Sequence, residues 1–397
     1  MTLLAMPKKG TPKPKVPGRW IRCPTGYSAY VPDSLPPSLT WTPKLVRALS
    51  DADHLIGRLA GEGGRLPNPH LLMRSFIKRE AVLSSRIEGT QATLGELLEA
   101  EVGVPVDRSP DDLREVANYV AALEYGIKRL QKLPLSLRLM RELHGLLMKG
   151  VRGERATPGE FRRSQNWIGA PGSTLAQASF VPPSPADLMD CLGAWEKFLH
   201  ETSTPPLVQV ALAHYQFEAI HPFLDGNGRV GRLLITLFLV ERGILPTPLL
   251  YLSAFFEATR RDYYELLSAV SARGDWESWL IYFLNGVARQ SEDALSRAER
   301  INKLLERWRV EASKTTGGPP SLVPLKLVDM LASNPFLTVK KAATHLGVAF
   351  TTAQRGIEKL EKAGVLRRTN EAKRDRVYCA KQIFDILEEP ARIAPHN

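Results

Sequence analysis

The segment His221 to Arg232, HPFLDGNGRVGR, constrains this chain more than any other, because it joins two apolar stretches of helical length through a short glycine-rich turn. Upstream, Leu207 to Ile220 (LVQVALAHYQFEAI) is apolar at helical spacing and has no internal Gly or Pro, so a helix ends at His221 and Pro222 enforces the exit. Downstream, Val230 to Arg242 (VGRLLITLFLVER) is apolar enough for a buried helix. The turn therefore delivers its residues to a helix N-terminus, where unpaired N–H groups and roughly half a positive charge attract anions.

Each residue type in the turn adds to that pull. Gly226 and Gly228 can take positive φ angles, aligning successive N–H groups into one anion-holding concavity. Arg229 and Arg232, separated by Val230 and Gly231, fall on one helical face and add forked guanidinium groups suited to phosphate. Both lie in an otherwise apolar helix start, where unpaired charge is costly. Asp225 is a hard oxygen ligand of the kind Mg²⁺ takes beside a triphosphate, and Asn227 can orient a phosphate oxygen. His221, with an ordinary pKa of about 6.5, can accept a hydroxyl proton near neutral pH. Together these residues make a nucleotide-handling loop.

The loop resembles the signature of Fic-domain proteins, His-x-Phe-x-Asp/Glu-Gly-Asn-Gly-Arg-x-x-Arg, matched by His221, Phe223, Asp225, Gly226, Asn227, Gly228, Arg229 and Arg232. The resemblance implies transfer of AMP from ATP to a Ser, Thr or Tyr hydroxyl of a protein, the chain itself included, with release of pyrophosphate. It makes His221 the base, Asp225 the Mg²⁺ ligand, the residues from Gly226 to Arg232 the phosphate cradle, Arg232 the γ-phosphate contact and Phe223 a core anchor. A phosphate-transferring branch of the family has Lys where Gly228 stands, so this chain is similar to the AMP-transferring branch.

A second segment, His70 to Glu88 (HLLMRSFIKREAVLSSRIE), reads as a helix stopped at Gly89, with Ser84 and Glu88 four apart on one face. Ser84, Glu88 and Gly89 match the inhibitory motif of regulated Fic proteins, Ser/Thr-x-x-x-Glu-Gly/Asn. By that resemblance Glu88 pairs with Arg232 and holds ATP in an unproductive pose, or positions water for removing AMP from a modified protein. Short β-prone runs at Asn166 to Gly169 and Ser179 to Val181 predict a hairpin, which in the family is a flap that holds the target by strand addition. Tyr263 and Tyr264 match a tyrosine pair near the adenine in relatives.

The rest of the chain predicts a mainly α protein: a Fic-type helical bundle with a small β-hairpin flap, plus a winged helix-turn-helix domain. Helical spacing marks Lys44 to Arg58, Asp111 to Lys132, Leu135 to Lys149, Ala186 to Glu201 and Trp276 to Val310. The expected division is a basic, Pro-rich arm at 1–40, a helical region at 41–130 carrying the inhibitory helix, a catalytic core at 131–314, a linker at 315–320 and the winged domain at 321–397. In the last, helices at Thr338 to His345 and Thr351 to Lys362 flank a turn at Gly347, and wing strands follow at Val365 to Thr369 and Arg376 to Cys379.

Charge separates these parts. Six Lys/Arg and no acids fall in residues 1–22, and 13 against eight fall in 321–397, so the two ends carry the whole net charge of +11. Arg355, Lys359, Arg367, Arg368, Lys373, Arg374 and Arg376 are candidate phosphate contacts to DNA. The arm reads as solvated. No apolar run approaches the roughly 20 residues needed to span a bilayer, and the start lacks a signal-peptide pattern. Three widely spaced cysteines without C-x-x-C suit a reducing cytoplasm. The expectation is therefore a cytoplasmic Mg-ATP-dependent enzyme, dimeric as regulated relatives often are. The alternative is a DNA-binding regulator that uses the pocket as a nucleotide sensor; an intact His221 favours the enzyme, since a sensor needs no proton acceptor.

Overall fold

The computed structural model describes residues 16–23, 26–65, 69–151, 157–170, 172–313, 322–370 and 375–393. The expected linker at 315–320, Lys373 and Arg374, and residues 1–15 and 24–25 of the basic arm lie outside them. The arm's last part departs from expectation: β1 (Gly18–Arg22) and β2 (Ser28–Pro32) form an antiparallel hairpin. Apolar side chains account for the difference, since Ala29, Tyr30 and Val31 are buried against the bundle, a contribution hidden by the Pro/Lys-rich composition around them.

The bundle starts with α1 (Pro43–Gly63), whose Thr42 caps the Leu45 N–H and whose Pro43 needs no partner at the first helical position. Then come α2 (Pro69–Ile87), α3 (Leu94–Glu101), α4 (Pro110–Arg129) and α5 (Leu137–Leu147). The sequence reading missed α3, although Thr93 and Glu96 close a reciprocal capping box at its start. Two central helices, α7 (Pro206–Ile220) and α8 (Asn227–Glu241), follow α6 (Leu188–Leu199). Both are buried almost all round, as their lack of a polar face dictates. The indoles of Trp195 and Trp279 each donate to an α7 carbonyl, Ala213 at 2.9 Å and Ala211 at 3.0 Å. Short α9 (Ser253–Ala258) and α10 (Arg260–Arg273) lead to α11 (Trp276–Ser313), a long helix packed along α1.

The predicted flap is less regular than expected. Its two runs meet at one antiparallel bridge, Ile168 with Phe180, around a turn holding a 3-10 segment at Leu175–Gln177. Asn166 spends its amide on the central loop, and Pro182 and Pro183 offer no ladder N–H. β2 joins this region through the Tyr30 N–H, which donates to Val181 at 2.9 Å.

The C-terminal domain comprises α12 (Val323–Ser333), β3 (Phe336–Thr338), α13 (Val339–Leu346), α14 (Phe350–Lys362), β4 (Arg367–Arg368), β5 (Val377–Cys379) and α15 (Lys381–Glu388). The wing strands are shorter than read from sequence, and an unforeseen third strand, β3, pairs with β5. Thr338 ends β3 and caps α13 through its hydroxyl. Nothing holds this domain apart from the bundle: α12 packs on α2 and α11, and α15 packs on both as well. Among the described residues no helix is long and apolar enough to cross a membrane.

Candidate active site

His221 ends α7 in the left-handed region, at φ 49° and ψ 61°. That conformation costs a residue with a β-carbon, and surrounding hydrogen bonds enforce it. The His221 N–H donates to Phe217 at 2.9 Å, and its carbonyl accepts from Arg162 Nε at 2.9 Å and Asn166 Nδ2 at 3.2 Å. The ring then lies with Nδ1 3.2 Å from the Glu218 carbonyl. A carbonyl can only accept, so Nδ1 carries the proton and Nε2 keeps its lone pair. Burial pushes the pKa down to about 4, against the Glu218 hydrogen bond, so the ring is a neutral acceptor at pH 7.

Arg162 is the anchor under this corner. Its guanidinium is buried and donates to the carbonyls of Ser164, Pro183, Ile220 and His221, placing a cation at the C-terminus of α7. Burial lowers its pKa to about 10, still far above neutrality.

The turn beyond is pinned from inside. Asn227 accepts from the Phe223 N–H and donates to the Phe223 carbonyl, both at 2.8 Å, and is itself buried. Its side chain therefore holds the loop rather than a ligand, and what it offers a phosphate is its backbone N–H. Asp225 Oδ1 accepts from the Gly226 N–H at 2.6 Å, yet the side chain remains 52% exposed and open to a cation. His144, unforeseen from sequence, locks the opposite side. Gly159 N–H donates to its Nδ1 at 2.8 Å, so Nε2 bears the proton and donates to the Asp225 carbonyl at 3.0 Å. Its ring stacks on Phe223 with centroids 3.8 Å apart, which confirms Phe223 as a core anchor. Burial holds His144 neutral by pushing its pKa to about 4.

Gly226, at φ 76°, precedes the first turn of α8. Within the helix the first intrahelical bond is that of Val230 to Gly226 at 3.1 Å, which leaves the N–H groups of Asn227, Gly228 and Arg229 as the first-turn donors. Arg229 is buried, with Nη1 3.7 Å from Glu115 and Nη2 4.0 Å from Asp225. Glu115 also accepts the Thr90 hydroxyl at 2.7 Å. Val230 and Gly231 are buried; the Gly231 carbonyl takes His214 Nδ1 at 3.0 Å, so these two add backbone rather than side chain.

The two distant motifs meet at Arg232. Its Nη2 lies 2.7 Å from Glu88 Oε1, its Nε donates to the Ser84 hydroxyl at 2.8 Å, and Nη2 also reaches the Ser84 carbonyl at 2.9 Å. Arg232 is 2% exposed and the Glu88 carboxylate 36%. Burial pushes the Glu88 pKa up, but the adjacent Arg232 outweighs it and keeps the carboxylate ionised. Gly89, at φ 100°, terminates the turn after Glu88. Gly228 matters here as well: a β-carbon on it would stand 2.2 Å from Glu88 Oε1, so the carboxylate would have to shift from its present place. Glu218, also unforeseen, lies under Gly231 with its pKa pushed by burial to about 8.

The tyrosine pair divides. Tyr263 is withdrawn into the core, its hydroxyl 2.9 Å from His214 Nε2, among Phe256 and Trp279, and has no face left for a nucleotide. Tyr264 is 42% exposed, with the Arg260 guanidinium 5.8 Å over its ring. Of the expected pair only Tyr264 can meet a base. No spacing rule links His144, Arg162 or Glu115 to the loop, because each reaches it from another element.

Known proteins resemble this chain in sequence and fold. Residues 46–128 match the Fic/DOC family N-terminal model, residues 134–239 the Fic/DOC family model, and residues 325–371 a DeoR-like helix-turn-helix domain. The protein adenylyltransferase Fic of Drosophila virilis is 35% identical over 167 residues, which is 40% of this chain and 32% of that protein. The chain thus spans about a third of the length of the curated relatives it matches. A Fic family protein from Desulfovibrio desulfuricans has the same fold, with a TM-score of 0.58 and 21% identity over 91% of this chain and all of that one. A Fic-domain signaling protein from Bacteroides thetaiotaomicron gives 0.50 and 22% over 66% of this chain and 97% of that one. The chain is thus similar to the Fic/DOC family over two consecutive segments, its N-terminal region and its Fic domain, ahead of a segment similar to DeoR-like helix-turn-helix domains.

Proposed function

We propose that this chain is a protein adenylyltransferase, moving AMP from ATP to a protein hydroxyl, and that Glu88 holds it in check. The observation that carries the reading is the joint state of two groups: a neutral His221 with its Nε2 lone pair kept for a proton, and an Arg232 already occupied by Glu88. His221 Nε2 takes the proton of the target hydroxyl as that oxygen bonds to the α-phosphorus, while the bond to the bridging oxygen of the β-phosphate breaks and pyrophosphate leaves. Base catalysis contributes about 10² to 10⁴ in rate. The first-turn N–H groups of α8, with Arg229, hold the phosphates and stabilise charge on them.

Asp225 suits Mg²⁺. Among the described residues no group of three or more His, Cys, Asp or Glu is gathered for a metal, and one exposed carboxylate acting with substrate phosphates is how Mg²⁺ is usually held. When bound, Mg²⁺ supplies charge neutralisation on the phosphates.

With Glu88 on Arg232, the γ-phosphate loses its guanidinium partner, and triphosphate binds in a pose that misaligns the α-phosphorus. Support comes from the geometry and from adenylyltransferase relatives. The test is incubation of wild type, Glu88→Gly and His221→Ala with labelled Mg-ATP and lysate, followed by mass spectrometry. Label from the α-phosphate should rise in Glu88→Gly and vanish in His221→Ala; label arriving only from the γ-phosphate would overturn the reading in favour of a kinase.

A second reading, a DNA-binding regulator, rests on the helix-turn-helix match and on α14, which exposes Phe350, Thr351, Thr352 and Arg355 beside wing residues Arg367 and Arg368. Tight operator binding, with no transfer by Glu88→Gly, would favour it.

A further inference from the structure

The inhibitory helix has two working faces. Glu80, Ser84 and Glu88, spaced four apart, form the stripe turned toward α4, α9 and the Fic loop. Ser75, Lys78 and Arg79 lie elsewhere on its circumference and meet the C-terminal domain. The Ser75 hydroxyl, fully buried, donates to the Ala332 carbonyl at 2.7 Å. Lys78, 7% exposed, places its ammonium 2.6 Å from Glu101 Oε2 and 3.0 Å from the Ser333 carbonyl. Asn334 ties the same knot, donating to Glu101 Oε2 and to the Leu98 carbonyl at 3.1 Å each. Arg79 reaches the Glu389 carbonyl at 3.3 Å.

The last carbonyls of α12 thus end on α2, and Lys78 neutralises them together with the Glu101 carboxylate of α3. A buried ammonium is tolerated only where such partners surround it. Ten residues, roughly 15 Å, separate Lys78 from Glu88, and α2 runs unbroken between them up to Ile87, the residue before Glu88. The domain is itself stiff behind this contact: a β-carbon on Gly356 of α14 would meet Val323 and Leu327 of α12 within 3 Å, so α14 and α12 are in close contact.

Building on the adenylyltransferase reading above, we infer that Lys78, with Ser75, is a positioning residue for Glu88: the C-terminal domain seats the inhibitory helix through them and so sets the strength of the inhibition. Loosening this seat frees the Glu88 end of α2 without altering any group that touches nucleotide or target. Glu80, bonded to Tyr119 at 3.0 Å and to Ser253, holds the middle of the same helix, so the release is partial.

The full chain carries the test. Lys78→Met, which keeps the stem and loses the charge, and Ser75→Ala are placed in the native and Glu88→Gly backgrounds, and initial AMP transfer is measured with α-labelled Mg-ATP. Each should raise the native rate by about 2- to 30-fold, the usual span for substitutions that modulate coupling, and leave the Glu88→Gly rate unchanged. Lys78→Arg should stay near wild type. Equal changes in both backgrounds, or no change in the native one with an intact melting transition, would overturn the inference. Hydrogen exchange reads the same point without activity: amides 84–88 should exchange faster in Lys78→Met, and unchanged protection there also overturns it. If Lys78→Met does not fold, Ser75→Ala, losing one hydroxyl, carries both measurements. An inactive Glu88→Gly protein would instead defeat the adenylyltransferase reading, leaving the exchange result to decide the seat by itself.

Discussion

At the scale of single residues, the site depends on hydrogen bonds that choose tautomers and charges. His221 donates through Nδ1 and stays neutral because burial lowers its pKa to about 4. Its base form is present above that pKa and is lost as pH falls through it. The acid limb of kcat/KM for Glu88→Gly should therefore lie near pH 4 instead of the ordinary histidine value of about 6.5. A limb at 6 to 7 would mean that the surroundings of the ring do not lower its pKa. Gly228→Ala gives a second test, because its β-carbon collides with Glu88 Oε1 at 2.2 Å. On the proposed reading, any loss of transfer caused by Gly228→Ala should be smaller in the native background than in Glu88→Gly, since displacing the Glu88 carboxylate from Arg232 offsets damage to the turn. Equal losses in a double-mutant cycle would show no coupling. His221 was a candidate from its type and its place in the loop, and Glu88 only through the resemblance of its segment; the orientation of neither was legible, because each is set by carbonyls and by Arg232 brought in through the fold.

At the scale of elements, the loop between α7 and α8 is shaped from below by Arg162 and from within by Asn227. Arg162→Met removes donors from the carbonyls of Ile220 and His221 and should cost about 3 kcal/mol of stability, read as a lower denaturant midpoint, with His221 misaligned and transfer reduced. Arg162→Lys should not restore it, because one ammonium cannot serve the carbonyls a planar fork reaches. Helix identity was plain wherever apolar spacing ran long, as in α7, α8 and α11. It was lost in α3, a helix of eight residues, and blurred in the flap, where side-chain diversion and prolines cut the expected strands to one bridge.

At the scale of the whole molecule, the C-terminal domain is joined to the bundle instead of trailing from it, through α12 and α15 on α2 and α11. Arg297 and Arg300 of α11 complete the junction, Arg297 donating to the Glu389 and Pro390 carbonyls at 3.0 and 2.9 Å, and Arg300 pairing with the Glu389 carboxylate. If the exposed face of α14 contacts DNA phosphates, Arg355→Ala should weaken binding alike across sequences and reduce the salt slope by about 1, measured by titration over a range of ionic strength. An unchanged slope would assign that face to another partner. The local information in the chain determined the helical class, the glycine-rich turn between two buried helices and the helix-turn-helix, because periodicity, glycine and charge act over a few neighbouring residues. Only the tertiary structure decided that Glu88 sits on Arg232, that Tyr263 is core while Tyr264 faces out, that His144 and Arg162 hold the loop, and that the C-terminal domain rests on α2. Those facts depend on which distant side chains share a buried space, and burial at long sequence separation leaves no mark in the spacing of any one segment.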